Sequence, residues 1–297
     1  MVEAKPFIKW VGGKTQLLTE INNNMPNDLH NIETYIEPFV GGGAVMFDII
    51  PKMYGIKYVI INDLNFKLTN TYSVIKSQCD SLISLLSQYQ DKYYSLSSEG
   101  KSEMFYAIRN EFNEVKSITE PTVQLAANFI FLNKTCFNGL YRENSRGEFN
   151  VPFSNAVKPC ICNAENLRAV CAFLIQYDVK ILTGSYEHVL EYVTDNTLVY
   201  LDPPYRPITK SSAFTSYTKS GFNDNNQKEL KKWCDSVVSK HGYFMLSNSD
   251  PKNSDPDDNF FDDLYSNYKI LRVNARRNIN SKGTARGPVT EILVKSF

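Results

Sequence analysis

The chain has 297 residues, 42% of them hydrophobic and 22% charged, with a formal net charge of zero. That length suits one large α/β domain or a domain with an insert. The neutral balance excludes a polyanionic partner held by bulk charge, so any nucleic-acid binding must come from local basic patches.

The 18 Tyr and 18 Phe are mostly core material, and they also offer flat faces for stacking bases. No apolar run approaches the roughly 18 residues that span a bilayer, and the N-terminus does not read as a signal peptide. The six cysteines are scattered, and the Cys160–Cys162 pair lacks a second pair at zinc-finger spacing. An intracellular, cytoplasmic protein with reduced thiols is expected, without membrane or metal.

In chain order, the first predicted strand, Thr34–Phe39, runs into Glu37-Pro38-Phe39-Val40-Gly41-Gly42-Gly43, ahead of an apolar helix start. Adjacent glycines let backbone approach a ligand that a Cβ would block, which makes Glu37, Phe39, Gly41 and Gly43 candidate ligand contacts. The second strand, Lys57–Asn62, ends at Asp63, about twenty residues after the glycines. An acid there is placed for ribose hydroxyls. These two features call for a ligand with a ribose and do not choose among such ligands.

From about residue 67 to 162 the strand–helix alternation stops. Leu82, Leu85, Leu86 and Tyr89 fall at helical spacing, and Val123–Leu132 reads as a further apolar helix. This is too long for a crossover connection, so it reads as a helical insert. Strands resume at Val179–Thr183, Thr197–Asp202 and Gly242–Asn248, with a helix over Gln227–Lys240. Tyr268–Asn274 and Glu291–Phe297 complete the sheet as an antiparallel hairpin. The pattern predicts a doubly wound α/β sheet. The acidic stretch Ser249–Asp263 reads as a solvated loop before a helix rather than a metal loop.

The strongest chemical signal is Leu198-Val199-Tyr200-Leu201-Asp202-Pro203-Pro204-Tyr205. A buried strand stops at a double proline, which cannot extend the ladder, so Asp202 lies at a carboxyl end, where open α/β sheets bind ligands. The combination suits methylation of a conjugated amine such as adenine N6, whose lone pair is delocalised into the ring. Asp202 and the Pro203 carbonyl can accept hydrogen bonds from the amino group and localise that lone pair. Tyr205 offers a face for the base, and such stacking is worth about 1–3 kcal/mol. Cytosine N4 and an RNA acceptor satisfy the same chemistry, and a catalytically silent nucleic-acid-binding relative is the alternative of another class.

Phe7-Ile8-Lys9-Trp10-Val11-Gly12-Gly13-Lys14, the Glu37–Gly43 segment and Asp202–Tyr205 resemble, in that order, the Dam-type (alpha-group) DNA adenine-N6 methyltransferases. Phe137-Asn138-Gly139-Leu140-Tyr141-Arg142, Gly147–Pro152, Ser212–Tyr217 and Leu246-Ser247-Asn248 extend the likeness over nearly the whole chain. The resemblance implies a Rossmann-like methyltransferase sheet with S-adenosylmethionine as donor. Trp10, Lys14, Asp63, Tyr186 and Asp202 would contact the donor, with Tyr186 beside its adenine. It implies a catalytic domain of residues 1–66 and 163–297 and a helical target-recognition domain of residues 67–162. The substrate would be adenine in double-stranded DNA within GATC, flipped out of the stack because its reacting atom is otherwise inaccessible.

Lys9 would read the first guanine and Arg142 a guanine near the other end, where its fork suits the O6/N7 edge. Leu140 would touch a thymine methyl, and Phe137 and Asn138 would wedge near the vacated stack. Ser154-Asn155-Ala156 departs from the family's Gly-Arg-Tyr at that point. Arg276 and Arg277, with Lys282 and Arg286, would supply phosphate contacts instead. A monomer is expected, and a restriction-modification role would add a cognate endonuclease as partner.

Overall fold

A computed structural model of the chain describes residues 2–206, 222–276 and 288–297. Among the described residues seven strands form one sheet: β1 (Thr34–Glu37), β2 (Tyr58–Asp63), β3 (Lys180–Thr183), β4 (Thr197–Leu201), β5 (Tyr243–Ser249), β6 (Lys269–Arg276) and β7 (Pro288–Lys295). Their order is β3-β2-β1-β4-β5-β7-β6. β4 pairs in parallel with β1 and β5, while β7 runs antiparallel to both β5 and β6. The architecture is the expected α/β methyltransferase sheet, parallel in its middle and closed by an antiparallel pair. The final strand enters between β5 and β6 rather than lying at the edge.

Strand ends follow backbone chemistry. β1 stops at Glu37, short of the expected Phe39, because Pro38 has no N–H to give the ladder. β4 stops at Leu201, one residue before Asp202, for the same reason at Pro203. All five β4 residues are buried, as expected of a strand paired on both sides.

By internal contacts the chain forms two compact units. The first comprises residues 1–13, 40–47 and 61–185, and the second 14–39, 48–60 and 186–297. Helix α1 (Leu18–Asn23) belongs to the second; the first holds helices α2 (Ala44–Ile49, its last residues in the second unit), α3 (Phe66–Ser77), α4 (Cys79–Ser95), α5 (Ser98–Glu114), α6 (Val123–Thr135) and α7 (Ala164–Gln176). α6 is apolar almost all round and correspondingly buried, packed by α3, α4 and α5. Leu82 and Leu86 of α4 are buried. Tyr89 is half-buried and donates to Asn128 Oδ1 of α6 at 2.8 Å. Side-chain caps hold the helix starts, among them Asn65 for α3 and Thr122 for α6.

In the second unit, α8 (Asp224–Ser239) begins with a capping box formed by Asn223 and Asn226. It packs against β5. The acidic stretch after β5 differs from the expected solvated loop. Asp250 is buried against Arg272 and Thr290, while Asp262 pairs with Arg272 and Lys252. Arg272 of β6 is the partner shared by both acids, and a reading of the loop alone does not contain it. No helix among the described residues is long and apolar enough to cross a membrane.

Candidate active site and reading surface

Asp202 follows the central strand β4, so the sheet itself fixes its position. Its Oδ1 lies 2.9 Å from Lys14 Nζ, and Lys14 is only 4% exposed. The same ammonium lies 3.7 Å from Glu291 Oε2 on β7 and 4.5 Å from the centre of the Tyr205 ring. Tyr205 donates its hydroxyl to Glu291 Oε2 at 2.5 Å. Four side chains from three chain segments therefore form one network around the tetrapeptide. Burial pushes the Asp202 carboxyl up to about 6 against the opposing pull of Lys14, with Glu291 adding to the rise. Tyr205 is held well above the ordinary phenol range by burial and by Asp202 and Glu291, so it stays a hydrogen-bond donor at neutral pH.

The tetrapeptide is also braced from behind. The Pro204 carbonyl accepts from Gln227 Nε2 of α8 at 3.3 Å, and the Arg206 amide donates to Asn248 Oδ1 of β5 at 3.4 Å. The Arg206 guanidinium pairs with Asp224 at 2.7 Å and Asp258 at 2.6 Å and lies over the Phe260 ring. Asn248 lies in the Leu246–Asn248 motif, and its bond to the tetrapeptide exit gives that motif a structural use.

In the same unit, Phe39 and Tyr186 come together with ring centres 5.3 Å apart, and Tyr186 meets Trp233 at 5.9 Å. Glu37 is buried and accepts from the Tyr35 hydroxyl at 3.0 Å.

The first unit holds the glycine turn. Gly41 has φ +48°, and a Cβ there would stand 2.6 Å from Trp10 Cδ1, so the indole lies directly against bare backbone. The Gly41 amide donates to Asp63 Oδ2 at 3.1 Å, and the Asn65 amide donates to Asp63 Oδ1 at 2.9 Å. Burial pushes Asp63 up to about 6 although these amides favour its charged form. Trp10 stacks on Tyr141, centres 5.4 Å apart and 22° from parallel. The Tyr72 hydroxyl donates to the Gly41 carbonyl at 3.1 Å and would meet a Cβ on Gly43.

Lys9 and the Phe137–Arg142 segment, remote in sequence, also meet in this unit. Lys9 lies across Gly139, where a Cβ would come within 2.5 Å of its Cδ. Phe137 and Asn138 are exposed, and Asn138 has φ +57°, an uncommon conformation for a non-glycine residue. Arg142 is exposed, and its Nε donates to Asn150 Oδ1 at 2.8 Å. Ser154 and Ala156 are tied to the Thr135 carbonyl and the Tyr93 hydroxyl respectively, and the exposed Asn155 accepts from the Ser98 hydroxyl. Arg276 ends β6. Arg277, Lys282, Arg286 and Ser212–Tyr217 lie outside the described residues.

Glu291, Arg206 and Asn133 escaped sequence reasoning. Glu291 reads only as a strand residue, and Asn133 as one polar position in an apolar helix. Arg206 carried one usable signal, its adjacency to Tyr205.

A sheet parallel in its middle, closed by an antiparallel pair, with an acidic double-proline turn at the carboxyl end of its central strand defines a methyltransferase of the Rossmann-like class. The model of the D12 class of N6 adenine-specific DNA methyltransferases matches residues 10–279. Similar curated proteins include the type II methyltransferase M.MjaIII of Methanocaldococcus jannaschii, 46% identical with all of both chains covered. The type II methyltransferase M1.LlaDCHI of Lactococcus lactis subsp. cremoris is 34% identical over all of this chain and 96% of its own. The DNA adenine methylase of Escherichia coli K12 is 30% identical over 99% of this chain and 95% of its own. The chain belongs to the D12 class and is an adenine-specific DNA methyltransferase, a family whose methyl donor is S-adenosylmethionine.

Proposed function

We propose that this enzyme methylates adenine N6 within GATC in double-stranded DNA, by direct transfer to a base extruded from the helix. The observation that carries the chemistry is the Lys14-bound Asp202 at the end of β4. Lys14 engages Oδ1 and leaves Oδ2 without a partner among the described residues, so one carboxylate oxygen remains to accept from the N6 amino group. The Pro203 carbonyl accepts the second proton, its direction held by the fixed φ of proline. Drawing both N–H bonds into the plane of these acceptors shifts the lone pair towards the incoming methyl. A carboxylate with a midpoint near 6 also suits the proton that the methylated amine sheds. The Tyr205 ring, fixed through Glu291, receives the flipped base.

When bound, S-adenosylmethionine supplies a methyl group already activated on a sulfonium. The donor set fits it. Asp63 spends one acceptor site of each oxygen on backbone amides and has lone pairs left for ribose hydroxyls. The Phe39–Tyr186 pair suits an adenine ring. Trp10, Lys14, Glu37, Gly41, Gly43 and Asp202 complete the proposed donor contacts.

Lys9, Phe137, Asn138, Leu140 and Arg142 are the proposed readers, Arg276 and Arg277 proposed phosphate contacts, and residues 67–162 the target-recognition region. Residues 1–66 and 163–297 carry catalysis. The enzyme acts as a cytoplasmic monomer. The type II names of two relatives support a cognate endonuclease as partner. Labelled methyl donor offered with a GATC duplex and a matched duplex lacking the site tests the reading. Transfer to the first alone is expected, and equal transfer to both would refute GATC.

A further inference from the structure

Asn133, in the last turn of α6, is 2% exposed and spends its side chain entirely on backbone. Its Oδ1 accepts from the Lys9 amide at 2.9 Å. Its Nδ2 donates to the Lys9 carbonyl at 2.9 Å and to the Gly139 carbonyl at 3.0 Å. The amide thus mimics a strand neighbour for Lys9 and simultaneously closes the turn carrying Phe137 and Asn138. Contact from the other side is equally tight, because Gly139 has φ +66° and lets the Lys9 stem lie where a Cβ would stand. The same turn is anchored at its start too, with the Phe137 amide donating to the Pro152 carbonyl at 2.9 Å.

We propose that Asn133 is a positioning residue for sequence discrimination, one clamp that sets Lys9 and the Phe137–Arg142 turn in a single register. The proposal rests on the reading of Lys9 and this turn as the base-reading elements. Hydrogen-bond readout of a base edge tolerates little displacement, and Lys9 sits on an N-terminal segment with no helix or strand of its own. Its backbone is held from the side by the amide of Asn133, and the turn is held by the same amide. Loosening the clamp therefore blurs more than one base pair at once, whereas losing a single reader blurs one.

The chemistry of the side chain selects the variants. Asn133→Asp keeps size and the acceptor for the Lys9 amide but cannot donate, and it sets a carboxylate against two carbonyls. Gly139→Ala strains the same junction from the opposite side without removing a hydrogen bond. Binding of the intact enzyme to fluorescent duplexes, GATC and its single-base substitutions, is followed by anisotropy without methyl donor, beside methylation rates and thermal melting.

Both variants are expected to lose roughly 10-fold in discrimination at two or more positions, the scale of one good base contact. Lys9→Ala should lose discrimination at one position only. Were Lys9→Ala to leave the sequence preference unchanged, the reader assignment itself would fail. A preference altered by Lys9→Ala but unchanged in both junction variants, with melting close to the parent, would overturn the clamp and leave the readers standing. An equal weakening on every duplex would overturn it as well.

Discussion

Replacing Lys14 by Met separates two roles that the buried ammonium combines. Lys14 contacts the catalytic carboxylate at 2.9 Å and favours its ionisation, while burial and Glu291 oppose it. An opposite charge this close lowers a carboxyl midpoint by about 1–3 pH units. Removing it moves Asp202 from about 6 to roughly 7–9. The active form is the carboxylate, so the rate rises with pH through that midpoint. With a midpoint at ~8, the ionised fraction at pH 7 falls from about nine-tenths to just under one-tenth, a loss of roughly tenfold that recovers by about pH 9. The assay is single-turnover methylation of a GATC duplex from pH 5 to 9.5 at saturating donor, which removes any effect on donor affinity. An acid limb that stays near pH 6, or a loss of the same size at every pH, would refute the argument.

Two further outcomes are expected. Asp202→Ala should lower single-turnover transfer by at least about 100-fold, since it deletes a fixed acceptor at the reacting amine. Its duplex affinity should stay within about threefold of the parent, and a near-normal rate would sink the mechanism. Gly41→Ala should lower the melting temperature by several degrees, because φ +48° and the Trp10 indole both resist a Cβ, at about 1–3 kcal/mol. The same variant should bind S-adenosylhomocysteine more weakly in calorimetry. Unchanged melting and affinity would show that the turn relaxes freely.

The strands and the tetrapeptide were legible because each rests on local chemistry. An apolar run halted by proline can end only near Asp202, and the glycines mark a turn whichever ligand it serves. The helices of 67–162 were legible from periodicity, since Leu82 and Leu86 repeat at the interval that buries them. Partners brought by the fold were not legible. Glu291 reaches Tyr205 because β7 enters beside β5, a register no short motif encodes. Asp258 and Asp250 look solvated until Arg206 and Arg272 arrive from distant segments. Asn133 has meaning only when Lys9, 124 residues earlier, lies beside it.

The bracing behind Pro204 and Arg206 has a consequence for how activity is lost. Gln227 and Asp224 belong to the first turn of α8, whose capping box begins at Asn223. The entropy of ordering the acceptor groups is therefore surrendered when that helix end forms, during folding, and not again at each turnover. Fraying of one helical turn would release the Pro204 anchor and the Asp224 side of the Arg206 pairing together while the sheet remained intact. Catalytic competence is thus tied to a local unit less stable than the whole, so inactivation on heating should precede unfolding.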